Sequence, residues 1–587
     1  MIHKNHFLPK LFDPFDSLGK KVRRELDNTW AFTFRNHILP KLPVEELGKK
    51  YHPELGRPSK NLHSGLGMLL LQQMEDTTDR ETIERLMFDQ RWQYALDITR
   101  TTDAELYMCE RTLVELRKKA IELGVAEKLF EVASDGMIAA GGVDVGHQRM
   151  DSVHVKSNMK RLGRLRLVGR TIQSFLKNLK RQQEGRYEEV SEELRKKYDG
   201  GKKGEDIFSR VKPSETGEKM EGACQDLSGL VEQFSGDEEV GKMYSYQTAK
   251  RVLLEQCKLV EEEEGEKRVE VKKAKEVGGD SVQNPSDVDS GYSGHKGQGY
   301  SVQAMETYTV EEGEGEKLRL ITYVEVTSAA VTDHHAVVPA LEAVEERGVK
   351  PKVLLGDTLY GSDENVQQAE QMGVELVAPV ANTEKGERIP LSSFVVDEKG
   401  VVTGCPMGQL PVKVKVKGKR VTAWFSRGVC EGCAEKERCP VLWTHQEKCR
   451  LSYELLEMRC SNRRRVEEGE GFKEKYRWRS GIEGCFSEWD RRTGVKHLRV
   501  RGLKAVRFAV MMKALGLNVL RFMAWKVRCG AKQAFLSPFL GGGRWLGAFF
   551  DWIGSILVPT RINWPHPCSH GPETFNLKTD FLHLHQI

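Results

Sequence analysis

KVLLGDTLYGSDENVQQAEQMGVELVAPV (residues 352–380) decides the fold class. KVLLGD reads as a buried apolar strand that ends on Asp357. DENVQQAEQMG has helical composition, and VELVAPV returns to strand. Strand, helix, strand in that order is a βαβ unit. Upstream, YSVQAMETYTV (300–310) and KLRLITYVEVTSA (317–329) are strand-like runs joined by EEGEGE, the pattern of a hairpin. A helix over His334–Arg347 connects the two blocks. Antiparallel strands followed by a βαβ unit predict a mixed α/β sheet.

Outward from this block the chain changes character several times. MDSVHVKS, containing Asp151, alternates like a half-exposed strand. The charged stretch up to Pro285 opens with an amphipathic helix, with Ile172, Phe175, Leu176 and Leu179 on one face. It closes in EEEEGEKRVEVKKAKE, a charge run expected to be solvated. Near the N-terminus, GMLLLQQM and a Thr78-x-x-Glu81 capping box predict two successive helices. Such a pair suits either a DNA-reading helix-turn-helix or a plain helical bundle.

The bulk numbers limit the function classes. At 587 residues several domains are expected, and 39% hydrophobic with 30% charged residues describes a soluble globular protein. A formal net charge of +5 requires any nucleic-acid surface to be segregated. MIHKNHFLPKLF lacks a secretory apolar run, and Phe535–Pro559 is too interrupted for a membrane span. The 12 cysteines are expected to be reduced thiols rather than a disulfide scaffold.

Ligands of open α/β sheets collect at the carboxyl ends of strands, so Asp357 is well placed to hold a divalent cation. Asp151, beside another strand, meets it across the sheet. In YRWRSGIEGCFSEWDRRTG, Tyr476, Arg479, Glu483 and Asp490 fall on one helical stripe. Glu483 is therefore the third acid, with Asp490 in reserve. Carboxylates suit phosphodiester chemistry because two Mg²⁺ about 3.5–4 Å apart stabilise both attacking and leaving oxygens. Arg479 offers a planar fork to a phosphate. The run Arg491, Arg492, Lys496, His497, Arg499, Arg501 and Lys504 supplies further phosphate contacts. His295 and Lys296 lie in GYSGHKGQG, a turn whose glycines permit close backbone approach. Cys405, Cys430, Cys433 and Cys439, with one CxxC, suit a tetrahedral zinc site, with Cys449 and Cys460 as spares.

SGIEGCFSEWDRRTGVKHLRVRGLKAVRFAVMMKALGLNVLRF resembles the C-terminal catalytic segment of bacterial insertion-sequence transposases of the DDE class. Their Tyr-x2-Arg-x3-Glu-x6-Lys signature is matched by Tyr476, Arg479 and Glu483. Asp490 replaces the lysine, with Arg491 and Arg492 adjacent. LDNTWAFTFRNHILPKLPVEEL, DSVHVKSN, DSGYSGHKGQGYSVQAMETY and GDTLYGSDENV resemble the same family in the expected order. The resemblance implies a ribonuclease-H-like core with Asp151, Asp357 and Glu483 as ligands of two Mg²⁺ (or Mn²⁺). It also implies double-stranded DNA as partner, both inverted-repeat ends and target, and a homodimer assembled on it. The setting would be a bacterial cytoplasm, at the nucleoid.

On this reading residues 1–130 are a helical DNA-binding region. The core lies in three parts: 140–158 with the first Asp, 289–385 with the second, and 461–525 with the catalytic Glu. A charged insertion (159–288) and a cysteine-rich, zinc-binding insertion (386–460) interrupt it, and 526–587 is a tail. The expected activity is metal-dependent cleavage at transposon ends followed by strand transfer. The alternatives are a ribonuclease-H-like nuclease without strand transfer and an inactive DNA-binding relic.

Overall fold

Helix α1 (Leu62–Glu75) forms where GMLLLQQM is apolar on every face, the signature of a helix surrounded by protein. Asn61 caps its start by accepting the Ser64 amide at 3.0 Å. Asp76 ends it in the left-handed conformation, φ 50°. The computed structural model describes residues 13–528, apart from 53, 57–58, 99–101, 200–206, 209, 262–266, 311–316, 382–386 and 444–447. Thr78 and Glu81 make the expected capping box, opening the helix Asp79–Phe88. Helix α1 is buried along its length, so Asp79–Phe88 is the member of the pair with an exposed face, at Arg80, Glu81 and Phe88. Helix α2 (Val125–Gly141) completes the bundle that backs the sheet.

The central sheet contains β1 (His147–Val155), β2 (Gly297–Thr307), β3 (Ile321–Ser328), β4 (Val353–Leu355) and β5 (Glu375–Val377). Their order is β3-β2-β1-β4-β5, and the short strand Gly291–Ser293 pairs with the start of β2. Strand β2 runs antiparallel to both its neighbours, β1 and β3, whereas β4 runs parallel to β1 and β5 parallel to β4. This is the mixed sheet expected from hairpin plus βαβ unit. Strand β1 is its middle strand rather than a half-exposed one, and Met150 and Val155 are fully buried. Its polar alternates mislead because Asp151, Ser152 and His154 face other polar groups within the protein. The helix expected over His334–Arg347 is shorter: a 3-10 turn, Asp333–Ala336, leads into Val337–Glu346.

Two helices close one side of the sheet. Helix α3 (Gly481–Thr493) carries Glu483, and α4 (Leu503–Arg528) packs against α1, α2 and β3. Buried Asn518 on α4 pairs with both backbone groups of Ile321 at 2.8 Å, satisfying a strand edge inside the protein.

The stretch between β1 and β2 corrects the sequence reading. Helices Arg164–Gln182, Thr216–Gln233 and Tyr244–Gln256 share a core of their own, built on Phe175, Leu179, Leu227, Leu230 and Val252. The apolar face expected for the first helix is part of this core, whereas the spacing of the later two is masked by their charged outer faces. At its end, Cys257–Glu261 and Lys267–Val271, the latter inside the charge run, pair as antiparallel strands. Downstream of β5, strands Lys413–Lys417, Arg420–Ser426, Leu442–Trp443 and Lys448–Glu454 form a separate sheet over Val421, Phe425, Leu451 and Tyr453.

Candidate active site

The register of the sheet brings the two aspartates together. In the parallel β1/β4 pair, Arg149 lies opposite Leu355. Continuing two residues along each strand sets Asp151 beside Asp357, on the same face of the pleat. Asp357 is fixed by its own turn, where Oδ1 accepts the Leu359 amide at 2.8 Å. Asp151 Oδ1 accepts the amide of Ser152 at 2.7 Å.

Helix α3 completes the group through Arg479, which sits in the 3-10 turn just before it. The guanidinium Nη2 donates to Asp151 Oδ2 at 2.6 Å and lies 3.9 Å from Asp357 Oδ2. Its Nη1 donates to Glu483 Oε1 at 3.1 Å. The three acids proposed from sequence therefore surround one arginine that the sequence also singled out. Burial is the largest influence on Asp151 and raises its pKa; Arg479 opposes it, and nearby Asp357 adds to it. Among the described residues, no group of three or more His, Cys, Asp or Glu is arranged as a metal site. Around the acids the reason is visible: Arg479 stands between them as their counter-ion. Three carboxylates bordering one guanidinium still form a hard, anionic donor set suited to a dication. Arg479 Nε is buried with no acceptor of its own, so part of the fork is unspent.

A polar network missed in the sequence backs this cluster. Asp333 accepts Ser152 Oγ at 2.8 Å and Gln303 Nε2 at 2.6 Å. Buried Tyr360, three residues after Asp357, donates to Gln303 Oε1 at 2.5 Å. The network thus ties the Asp357 turn to β1 and β2. Lys296, on the glycine-containing turn, donates to Ser152 Oγ at 3.0 Å, which puts its charge next to Asp151. No local pattern marks Asp333 or Gln303, because their partners lie far away in sequence.

A second feature without a sequence signal is the charge chain beneath α3. Arg149 and Glu306 face each other across β1 and β2, both nearly without exposure, with Nε 2.8 Å from Oε2. Arg521 binds the other oxygen of Glu306 at 2.7 Å and also binds Glu488. Burial alone would raise the pKa of Glu306, but Arg521 and Arg149 outweigh it and hold the carboxyl below its ordinary value.

The remaining sequence candidates are dispersed. Tyr476 stacks on Phe472 at 5.4 Å, near the cluster. Asp490 stands apart from the acids, its Oδ1 accepting the Lys496 amide at 3.0 Å. Its role is to fix the turn after α3; Asp490→Ala is expected to cost about 1 kcal/mol of stability. Thermal melting checks this, and an unchanged midpoint would show that the turn holds without it. Arg491 is exposed, Arg492 pairs with Glu488 at 2.8 Å, and Arg499 pairs with Asp76 at 3.2 Å. Arg501 donates to the Asn158 carbonyl. Lys496 is half-buried; its carbonyl accepts the Lys156 amide, and the segment runs along the end of β1. Trp489 is fully buried and Trp478 stacks beside Tyr308, so both are packing residues.

Cys405, Cys430, Cys433 and Cys439 line one cavity of about 420 Å³. Cys449 is buried beside them, hydrogen-bonded to Cys430. Burial, followed by the neighbouring thiols Cys449, Cys439 and Cys405, pushes the Cys430 thiol up to about 12. Cys460 instead sits among the arginines of the helix Leu455–Glu467.

Residues 404–523 match the family model of a transposase DDE domain, and residues 4–119 match that of a transposase domain, DUF772. The two matches indicate a DDE-type transposase. No curated protein and no solved structure matches the chain. The first match covers the cysteine cluster, Arg479 and Glu483, and it ends within α4. Asp151 and Asp357 lie outside both matched segments. DDE transposases act on DNA and generally use divalent metal ions. Among the described residues no helix is long and apolar enough to cross a membrane. Phe535–Pro559 and the tail after residue 528 lie outside the described residues.

Proposed function

We propose that the chain cleaves DNA at the ends of a mobile element and joins the freed strand to target DNA, using Asp151, Asp357 and Glu483. One observation carries this reading: acids from three distant sequence segments border a single guanidinium beside the carboxyl end of β4. The strand order, antiparallel then parallel, supports a ribonuclease-H-like core. The three carboxylates would hold Mg²⁺ or Mn²⁺, two ions for a full in-line displacement. Bound there, the metal supplies charge stabilisation for the attacking and leaving oxygens.

The chain's own residues have separable tasks. Asp151 presents its oxygens from the middle of β1 and Asp357 from just past the end of β4, and Glu483 presents one from the opposing helix. Arg479 neutralises the acids in the free protein and is proposed to turn its guanidinium to a phosphate oxygen when DNA binds. Lys296 places a second cation beside the same strand. Tyr476, Arg491, Arg492, Lys496, Arg499 and Arg501 are proposed to contact DNA, with the N-terminal helical region (1–130) binding the element's ends. A homodimer assembled on DNA would hold two ends at once.

The test is incubation of the chain and Mg²⁺ with labelled duplexes bearing the element's inverted repeats and a target plasmid. Joined products are expected. Nicked product alone would replace strand transfer by nuclease action, and end binding without any cutting would mark a relic.

The cysteine cavity is proposed to hold one structural Zn²⁺ through Cys405, Cys430, Cys433 and Cys439. Soft thiolates match that ion, and a bound metal deprotonates thiols that burial otherwise keeps neutral. Purified chain is expected to carry about one zinc per protomer by atomic absorption. Cys430→Ser/Cys433→Ser should lose it and melt several degrees lower. A chain that takes up no zinc from micromolar solution would refute the site.

A further inference from the structure

The separate sheet downstream of β5 buries one face and leaves the other open. Val421, Phe425 and Leu451 point into its core. Alternation along each strand therefore sends Lys413, Lys415 and Lys417 to the outer face. Register places Arg420 opposite Lys417, and Arg450 two strands across from Lys413 with Trp424 between them. All five cations are exposed.

Opposing charge on this face is sparse. Register puts one described carboxylate there, Glu454, which pairs with Arg420 at 3.1 Å. Glu447 lies outside the described residues, next to Lys448, which has a partner of its own. With Glu447 set against the face and Lys448 left out, five cations still meet only two carboxylates. Where the helix Leu455–Glu467 starts beside the hairpin turn, Lys419 and Glu457 add one charge of each sign. Lys413 lies over the Trp424 ring at 5.8 Å, a contact that leaves its charge in place. Among the described residues, Lys415, Lys417 and Arg450 have no ion-pair partner.

Alternate residues on a strand stand about 6.8 Å apart and neighbouring strands about 4.8 Å, so the cations cover roughly 14 by 10 Å. One DNA strand carries a phosphate every 3.4 Å of helix axis, so a patch of that length spans about four of them. The sheet is also tied to the acid cluster. Its strand Lys448–Glu454 runs directly into the helix Leu455–Glu467, where Arg459 binds Asp363 at 2.6 Å. Arg463 on the same helix donates to the Gly361 carbonyl at 2.9 Å. Both partners closely follow Asp357 in sequence, so whatever lies on the basic face is held in a set relation to that acid.

We propose that this sheet face binds the phosphate backbone of the duplex on which the acids act, with Lys415, Lys417 and Arg450 as contacts. The assignment rests on the DNA-cutting reading above. A backbone fits better than a stacked single strand, because Trp424 is half-buried with Lys413 across its ring.

The test titrates the full chain with a labelled duplex of arbitrary sequence, because backbone contacts carry no sequence information. Fluorescence anisotropy is read over a range of salt concentrations for the wild type and for Lys415→Gln/Lys417→Gln/Arg450→Gln. Each phosphate contact contributes about 0.9 to the slope of log K against log salt, so the variant's slope should be shallower by about two to three. An unchanged slope in a variant that melts with the wild type overturns the proposal. Should the triple variant melt early, Lys415→Gln and Arg450→Gln alone should each lower the slope by about one, and two unchanged slopes overturn it equally. A slope change seen with single-stranded DNA and not with the duplex overturns it in favour of a base-stacking strand. Wild-type protein that binds no duplex defeats the DNA-cutting reading itself. Protein that binds without cutting, yet shows the slope change, keeps the basic face and defeats only the catalytic claim.

Discussion

Asp357→Ala is expected to abolish the proposed Mg²⁺-dependent strand cleavage while leaving binding to the element's ends at wild-type strength. The expected loss is at least about 10³-fold in rate, equivalent to about 4 kcal/mol of transition-state stabilisation. Asp357 is the acid for which this experiment reads most cleanly. Its side chain retains 29% of its exposure, and its Oδ1 accepts the Leu359 amide within its own turn. The fold therefore has little reason to depend on it. Asp151 is more deeply set and holds Arg479 at 2.6 Å, so its removal mixes lost chemistry with a released buried guanidinium. End binding, by gel shift, and circular dichroism establish that the Asp357 variant is folded. A variant that still cuts at the wild-type rate would remove Asp357 from the chemistry, and with it the proposed acid set.

Asp357 was legible because a short apolar strand, a strand-end carboxylate and a following helix all lie within one local stretch. Periodicity and capping are likewise local, which is why the Thr78 box and the β2–β3 hairpin follow from the residues themselves. Asp151 was harder to place, since its strand alternates as a half-exposed one does yet lies mid-sheet. What places it beside Asp357 is the register of β1 against β4, a pairing of residues some two hundred positions apart. Of the core between β1 and β2, only the first helix, with Ile172, Phe175, Leu176 and Leu179 on one face, was legible, and the rest was hidden for a different reason. Charged outer faces dominate the composition, whereas the apolar spacing beneath them decides folding. The Asp333–Gln303–Tyr360 network and the Arg149–Glu306 pair have no sequence signal, because each joins residues on separate strands and loops.

That buried pair supports the other large expected effect. Glu306→Ala leaves Arg149 and Arg521 without their shared carboxylate in a site that water scarcely reaches, and is expected to cost about 3–5 kcal/mol of stability. Arg149→Met/Glu306→Leu replaces the pair with apolar groups and should recover much of that loss, because the desolvation of two charges is avoided. Cleavage should not recover with it. Arg149 Nη1 also donates to the Trp478 carbonyl at 2.8 Å, immediately before Arg479, and its guanidinium fills the space beside Gly481. Arg149 therefore sets the approach of the Glu483 helix to the strand bearing Asp151, and a flexible methionine offers no donor to that carbonyl. Urea denaturation reads the stability arm and Mg²⁺-dependent cleavage the positioning arm. A Glu306→Ala midpoint equal to wild type would show that the pair contributes nothing to the fold. A double variant that cuts as fast as wild type would show that α3 is aligned without Arg149.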